Sequence, residues 1–282
     1  MAASSDNPMR REHDRLGARY IVYGGAEVVA DYGIDYHIDL PLANPLLVDL
    51  SFQGMLRVSG PDSGFFLHTV LTCDVGSLTH GHSSHALMLD GEGNVIDELL
   101  VICSGDDEYM LIVDAPLIDE TFDWLKTIAA AVSARDGLFS EVQIGNESGA
   151  LAMLAIMGPD RLSMLNELRT EPNAPDLSIQ LGSGTCFTRS IGGIPMMLIA
   201  DEPAETILVL CSREGAAALW QALLSFPELQ AIGLRPYEQV MRDMGLWLDG
   251  LEEGRLLSVS ESGLAHLLRE THDFVGASAL LA

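Results

Sequence analysis

Two adjacent carboxylates inside an apolar run are the strongest chemical signal in this chain. They are Asp97 and Glu98, in Gly93-Asn94-Val95-Ile96-Asp97-Glu98-Leu99-Leu100-Val101. Burying an ionisable group is costly unless it is paired or used, so carboxylates in such a run mark a candidate site. A second signal is His80-Gly81-His82-Ser83-Ser84-His85, an H-x-H-x-x-H cluster with Cys73 and Asp74 a few residues upstream. Imidazoles at this density could ligate zinc, shuttle protons near Asp97 or pair with a substrate carboxylate. A loop at the rim of a cavity is the plainer account, because closeness in sequence does not create tetrahedral geometry. Asp114-Ala115-Pro116 reads first as a helix N-cap followed by proline in the first turn, with a ligand role second. Gly192-Gly193 and Gly182-Ser183-Gly184 lack the context of a phosphate loop and read as turns. No serine–histidine–acid or cysteine–histidine arrangement stands out.

The elements that position these residues follow from an internal duplication. Leu56-Arg57-Val58-Ser59-Gly60-Pro61-Asp62 precedes a helical stretch from Phe65 to Leu71; Leu154-Ala155-Ile156-Met157-Gly158-Pro159-Asp160 precedes another from Leu162 to Leu168. In each, the strand ends at glycine, and proline and aspartate are expected in the first helical turn. Glu108-Tyr109-Met110-Leu111-Ile112-Val113 leads to a helix with Trp124, and Glu205-Thr206-Ile207-Leu208-Val209-Leu210 to a helix with Trp220. The spacing of Ile118, Phe122, Leu125, Ala129 and Val132 makes the first of these helices amphipathic. Each copy therefore reads as an α+β unit with helices on one face of an antiparallel sheet. The duplication also acts as a control: Asp97 and Glu98 align with Met196 and Met197, so the strand is built without carboxylates in the other copy. The alternative for Asp97 and Glu98 is a solvated strand face or a structural ion pair.

At 282 residues the chain can bury a large core or form two domains. Its net charge of −26 repels nucleic acid and anionic membranes. No apolar run is long enough for a bilayer, and Met1 to Arg15 lacks the core of a signal peptide. Cys73, Cys103, Cys186 and Cys211 show no C-x-x-C spacing and read as free thiols of a cytoplasmic protein.

These residues resemble the aminomethyltransferase (T-protein) of the glycine cleavage system and its folate-dependent relatives. The resemblance rests on Ala18-Arg19 through Tyr32-Gly33, on Val48-Asp49-Leu50-Ser51, and on Met88 to Val101, which is similar to the segment carrying the family's catalytic aspartate. Gly233-Leu234, Asp243-Met244-Gly245 and Asp273-Phe274-Val275-Gly276 look like later landmarks. The resemblance implies a reduced folate, tetrahydrofolate, in a central cavity, with Asp97 as the catalytic carboxylate. It also implies Tyr32, Leu87, Met88, Glu98, Val113, Asp114, Glu205 and Arg242 as candidates for holding the folate. There are departures. The family's tyrosine-threonine-glycine-glutamate segment falls near Ala200-Asp201-Glu202-Pro203, its arginine aligns with Met241 beside Arg242, its asparagine is Asp114, and its histidine after the serine is Phe52. The cysteine motif of the iron–sulfur-assembly branch has no equivalent.

The expectation is therefore a two-lobed, internally duplicated α+β fold of the aminomethyltransferase type without its C-terminal barrel domain. Residues 1–47 should pack on the second lobe, 48–138 form the first lobe with Asp97, and 139–282 form the second. The expected function is tetrahydrofolate-dependent transfer of a methyl or methylene group from an amine, ether or thioether donor. Alternatives are a non-catalytic folate-binding or scaffold subunit, or an enzyme that reuses the cavity for a non-folate substrate. A homo-oligomer contact or a partner subunit should cover the face the missing domain leaves. No metal is expected; His80, His82 and His85 are weak candidates.

Overall fold

A computed structural model of the chain describes residues 7–34, 36, 38–168, 175–201, 205–244, 246, 257–268 and 272–281. The chain opens with α1 (Arg10–Arg15) and a hairpin of β1 (Arg19–Tyr23) and β2 (Ala26–Asp31), followed by β3 (Leu46–Asp49). The first copy of the repeat runs β4 (Gly54–Ser59), α2 (Ser63–Val70), β5 (His82–Leu89), β6 (Asn94–Gly105), β7 (Glu108–Val113), α3 (Ile118–Asp136) and β8 (Gln143–Asn146). The second runs β9 (Leu151–Met157), α4 (Arg161–Glu167), α5 (Leu177–Gln180), β10 (Cys186–Ile191), β11 (Ile194–Asp201), β12 (Thr206–Ser212), α6 (Arg213–Leu223) and β13 (Gln230–Ile232). α7 (Leu234–Asp243), β14 (Leu257–Ser258) and α8 (Val259–Ser262) follow.

The duplication is a duplication of topology. One sheet has the order β10-β11-β12-β9, and the other repeats it as β5-β6-β7-β4. Each sheet is then completed by a strand from in front of the other copy. β3, which leads into β4, pairs antiparallel with β9; β8, which leads into β9, pairs antiparallel with β4. The chain accordingly divides into one unit of residues 1–52 and 148–247 and another of 53–147 and 248–282. This differs from the boundaries expected above. Residues 139–147 and 248–282 fall in the unit that carries Asp97, because β8 bonds to β4 and β14 bonds to β6. Further anchors are Val275 N–H donating to the Thr69 carbonyl and Thr72 Oγ1 donating to the Leu267 carbonyl.

In the unit of residues 53–147 and 248–282, one sheet face is covered by α2 and α3. Leu56, Val58, Leu99, Val101 and Leu111 from the strands meet Phe66, Leu67, Val70 and Leu125 from the helices. Full burial of each such leucine contributes about 2 kcal/mol. α3 buries the stripe its spacing dictates and stops at Gly137, whose left-handed φ of 72° suits glycine at that position. α2 starts later than the proline suggests: Asp62 is the N-cap residue, and Pro61 lies outside the first turn. The same holds for Pro159, with Asp160 at the N-cap of α4.

In the unit of residues 1–52 and 148–247, the core joins Leu154, Ile156, Met196, Leu198, Ile207 and Val209 of the sheet to Leu219, Trp220 and Leu223 of α6. Met9, Val29, Tyr32 and Leu47 from the N-terminal segment are part of that core. All four cysteines are buried, and none forms a disulfide among the described residues. No helix among the described residues is long and apolar enough to cross a membrane.

Candidate functional site

The Asp90–Asn94 turn sets up the strand that carries the carboxylates. Asp90 Oδ1 accepts from the Glu92 and Asn94 amides, its Oδ2 accepts from Asn94 Nδ2, and Gly93 takes a left-handed φ of 81°. β6 then pairs with β5 through a register shift: Met88 faces Asp97, but Leu89 faces Val95. The extra residue is Ile96. Such a bulge bends the strand and re-aims the side chains beside it.

Asp97 and Glu98, adjacent in regular register beyond the bulge, point to opposite faces. Asp97 shares its face with Leu99 and Val101 and is buried under α3, where Thr121 Oγ1 donates to its Oδ2 at 2.9 Å. Thr121 is itself fully buried, the polar member of α3's apolar stripe. Among the described residues Asp97 Oδ1 has no hydrogen-bond partner; the Asp114 amide faces the carboxyl group without reaching bonding geometry. Burial pushes the Asp97 carboxyl well above the usual carboxylate range. The Thr121 bond opposes that rise, and the charges of Asp114 and Glu98 add to it. The neutral acid is favoured.

Glu98 lies on the other face, opposite Leu87, and its Oε1 is 3.3 Å from His85 Nδ1. Asp114 follows β7, partly exposed, and its Oδ1 accepts from the Ala115 amide at 2.9 Å, with Pro116 in the turn that leads to α3. The capping arrangement expected for Asp114 is thus present.

Of the candidates named from sequence, Leu87, Met88, Asp97, Glu98, Val113 and Asp114 all belong to one sheet and the turn after it. Leu87, Met88 and Val113 are buried. Tyr32, Glu205 and Arg242 belong to the other unit. Glu205 is exposed just before β12, with a left-handed φ of 45°, and Glu202 is outside the described residues. Arg242, in the last turn of α7, is 3.6 Å from Glu238. The histidine cluster is strand rather than loop from His82 onward. His82 bonds Thr79, His85 bonds Glu98, and the two lie on opposite faces of β5. Among the described residues no group of three His, Cys, Asp or Glu side chains is placed to hold a metal.

Tyr32 belongs to a buried network that sequence reasoning missed. Its hydroxyl is 2.8 Å from His13 Nδ1, and His13 Nε2 is 2.9 Å from Asp49 Oδ2. A ring carrying its proton on Nε2 donates to Asp49 and accepts from Tyr32. Asn7 Nδ2 donates to Asp49 Oδ2, and the Ser51 amide donates to Oδ1. Burial alone would raise the Asp49 carboxyl; the bonds from His13, Ser51 and Asn7 outweigh it and hold the group below its ordinary value. Tyr32 also lines a groove of about 500 Å³ with Leu16, Ile34 and Asn44. The aspartate inside Leu46-Leu47-Val48-Asp49-Leu50 carried the same signal as Asp97; nothing in the spacing marks His13 as its partner. Thr121 was readable as a polar residue on an apolar helical stripe.

The family model for the GCVT N-terminal domain matches residues 9–269. This chain belongs to the GCVT N-terminal domain family. Among members of the family, the chain is similar to an aminomethyltransferase of Geobacillus sp. (strain WCH70), 28% identical over 281 residues, which cover 97% of this chain and 74% of that protein. It is 29% identical over 279 residues to an aminomethyltransferase of Chloroherpeton thalassium (strain ATCC 35110 / GB-78), covering 96% and 74%. The crystal structure of glycine cleavage system aminomethyltransferase T from Bartonella henselae has the same fold, with a TM-score of 0.78 over 97% of this chain and 73% of that one, at 19% identity. The α+β fold expected from the repeat is the fold of this GCVT domain.

Proposed function

We propose that this GCVT-domain protein is a transferase that moves a one-carbon unit, methyl or methylene, from an amine, ether or thioether donor to tetrahydrofolate. Asp97 is its catalytic carboxylate. Membership of the family supports the reaction class, since the relatives reported above are aminomethyltransferases. One observation carries the assignment to Asp97: a fully buried carboxyl group with an orphaned Oδ1. An orphaned Oδ1 that carries the acid's proton suits a lone pair on a nitrogen of a reduced folate, so the residues present fit that ligand.

Bound tetrahydrofolate supplies the nitrogen that accepts the one-carbon unit. In this reading Glu98 and Asp114, both partly exposed, hold polar edges of the ligands, and the buried Leu87, Met88 and Val113 supply apolar walls. Thr121 fixes the Asp97 carboxyl through Oδ2 and leaves Oδ1 for the reaction. Held neutral by burial, Asp97 donates its proton to the departing donor atom. The carboxylate left behind stabilises positive charge that develops on the transferred carbon and takes up the proton that the accepting nitrogen loses as its new C–N bond forms. One well-placed group of this kind commonly contributes about 2.7–4 kcal/mol.

The test is a fluorescence titration of the full chain with tetrahydrofolate, followed by turnover assays of wild type and Asp97→Asn across amine, ether and thioether donors. Saturable binding with turnover that falls at least about a hundredfold in the variant is expected. Binding without turnover on any donor would favour a non-catalytic folate-binding subunit, and absence of binding would remove folate from the reading.

A further inference from the structure

Residues 272–281 are fastened to the strands around Asp97 by contacts that the reaction above does not use. His272 Nε2 donates to the Leu71 carbonyl at 3.1 Å, and Leu71 bridges to Met88, the residue opposite Asp97. The Val275 amide donates to the Thr69 carbonyl. Gly276, with φ of 89°, lies so close that a Cβ there would stand 2.5 Å from the Asp90 carbonyl oxygen and 3.0 Å from Leu89 Cβ. Ala279 and Leu280 in turn lie against Gly93. The segment is thus seated on the turn that opens β6. What holds its near end is a pair of imidazoles. His272 stacks on His68 of α2, with ring centroids 3.9 Å apart and 22° between planes, and Phe274 packs at a tilt against His272. His68 Nδ1 accepts from the Gly76 amide at 3.3 Å and lies 3.4 Å from Asp74 Oδ1. Among the described residues the charged groups beside the pair are Asp74, in the turn after α2, and Asp273, next in sequence to His272.

We propose that residues 272–281 are a pH-released strap: the stacked rings of His68 and His272 hold it on the Leu89–Gly93 turn while they are neutral, and their protonation lifts it and loosens the start of the strand that carries Asp97. The bonds present specify a neutral His68, because an Nδ1 that accepts from Gly76 has no room for a proton. One proton on the pair is tolerated, since the face of a neutral ring can receive a cation; a second sets two like charges 3.9 Å apart. A proton on His68 Nδ1 also opposes the Gly76 N–H and draws the ring toward Asp74. Burial and the charge of His272 hold His68 below its ordinary 6.5, with Asp74 opposing them. With the folded value depressed, the stabilisation is complete above the ordinary value and is lost as pH falls through the folded one. Every contact is internal to the chain, so the strap stands apart from the folate reading.

The test is amide hydrogen exchange of the full chain by NMR, without folate, at about pH 8 and about pH 5.5 and corrected for intrinsic rates, with the imidazole resonances followed between them. On acidification the Val275 amide should lose protection at least about tenfold, the equivalent of one pKa unit. The Gly93 amide, which donates to the Asp90 carbonyl, should follow it, while Val101 and Leu111 in the middle of the sheet keep theirs. His68→Phe keeps a ring on His272 without a titrating group, and the exposed Gly76 amide can turn to water; the acid-dependent loss should disappear in it. Asp74→Asn, a change at a partly exposed side chain, should move the His68 midpoint and the release of Val275 together to lower pH. Equal protection of Val275 at the two pH values would overturn the strap. So would a loss that persists in His68→Phe, one that leaves the His68 midpoint behind in Asp74→Asn, or one that extends equally to Val101 and Leu111.

Discussion

Asp49 and Asp97 are both carboxylates sealed inside strands, and their environments shift them in opposite directions. Burial pushes each toward the neutral acid. Asp49 receives hydrogen bonds from His13, Asn7 and the Ser51 amide and ends below its ordinary value; Asp97, among the described residues, receives that of Thr121 alone and ends above. The difference lies in the number of donors supplied by the surrounding elements, not in depth. Asp49 is built as part of the frame. Asp97 is built as an acid with an oxygen to spare.

The pH dependence of stability should separate the two units. Asp97 is raised in the folded state above its ordinary 3.8, so folding favours its proton. The stability it contributes is complete below the unfolded value and is lost as pH rises through the folded one. Urea midpoints of wild type should therefore fall as pH climbs from about 4 upward, with a slope from this group of at most about 1.4 kcal/mol per pH unit. In Asp97→Asn, which mimics the neutral acid, that component should vanish. Parallel pH curves for the two proteins would show that Asp97 ionises normally.

For Asp49 the sign is reversed. Its folded value is depressed, so its stabilisation is present above the unfolded value and is lost as pH falls through the folded one. Removing the partner is expected to cost more than neutralising the acid. His13→Ala leaves a buried carboxylate without its main donor, at a cost of about 3–5 kcal/mol. Asp49→Asn keeps an acceptor for Ser51 and should cost less. Denaturation of both variants at neutral pH checks the order, and equal losses would mean that shape rather than charge holds α1 to this core.

How much of this was legible beforehand follows from which contacts are local. The repeat, the α3 stripe, the Asp114 cap and the Asp90–Asn94 turn depend on residues within one or two turns of each other, and the sequence carries them openly. The exchange of β3 and β8 between the copies has no local signature. Both are short strands whose paired residues, in β9 and β4, lie 84 to 111 residues away. The unit boundaries were misread for that reason. The same limit applied at the site: Asp97 was visible as a carboxylate in an apolar run, but its placement under α3 depends on a bulge at Ile96, and one residue of slip reverses the face.

The close approach at Gly60 ties the exchanged strand to the first copy. Gly60 has φ of 110°, and a Cβ there would stand 1.9 Å from the Glu141 carbonyl oxygen, a backbone atom just ahead of β8. Gly60→Ala should therefore cost more than about 2 kcal/mol through strain and displacement of the β8 lead-in. Hydrogen exchange should show lost protection in Gln143–Asn146 and at the β4 amides that face it. A variant with wild-type stability would show that this segment yields freely.

The duplication permits a transplant that tests what Asp97 requires of its surroundings. Met196, set against Asp97 by aligning the glycine turns and lying on the helix-covered face of its own sheet, is buried in the other unit's core, and the position matching Thr121 by the tryptophan offset is Ala217, partly buried against the same core. Met196→Asp places a carboxyl group in a seam with no hydroxyl opposite, and it should cost roughly 3–5 kcal/mol, less as pH is lowered and the group protonates. Adding Ala217→Thr should recover about 1 kcal/mol or more if a threonine at this helical position can reach the strand as Thr121 does. The coupling energy from the double-mutant cycle is the quantity to measure. A zero coupling would mean that the geometry of α3 over β6 is peculiar to the unit carrying Asp97, and that the two copies have diverged in how the helix seats as well as in which residue it covers.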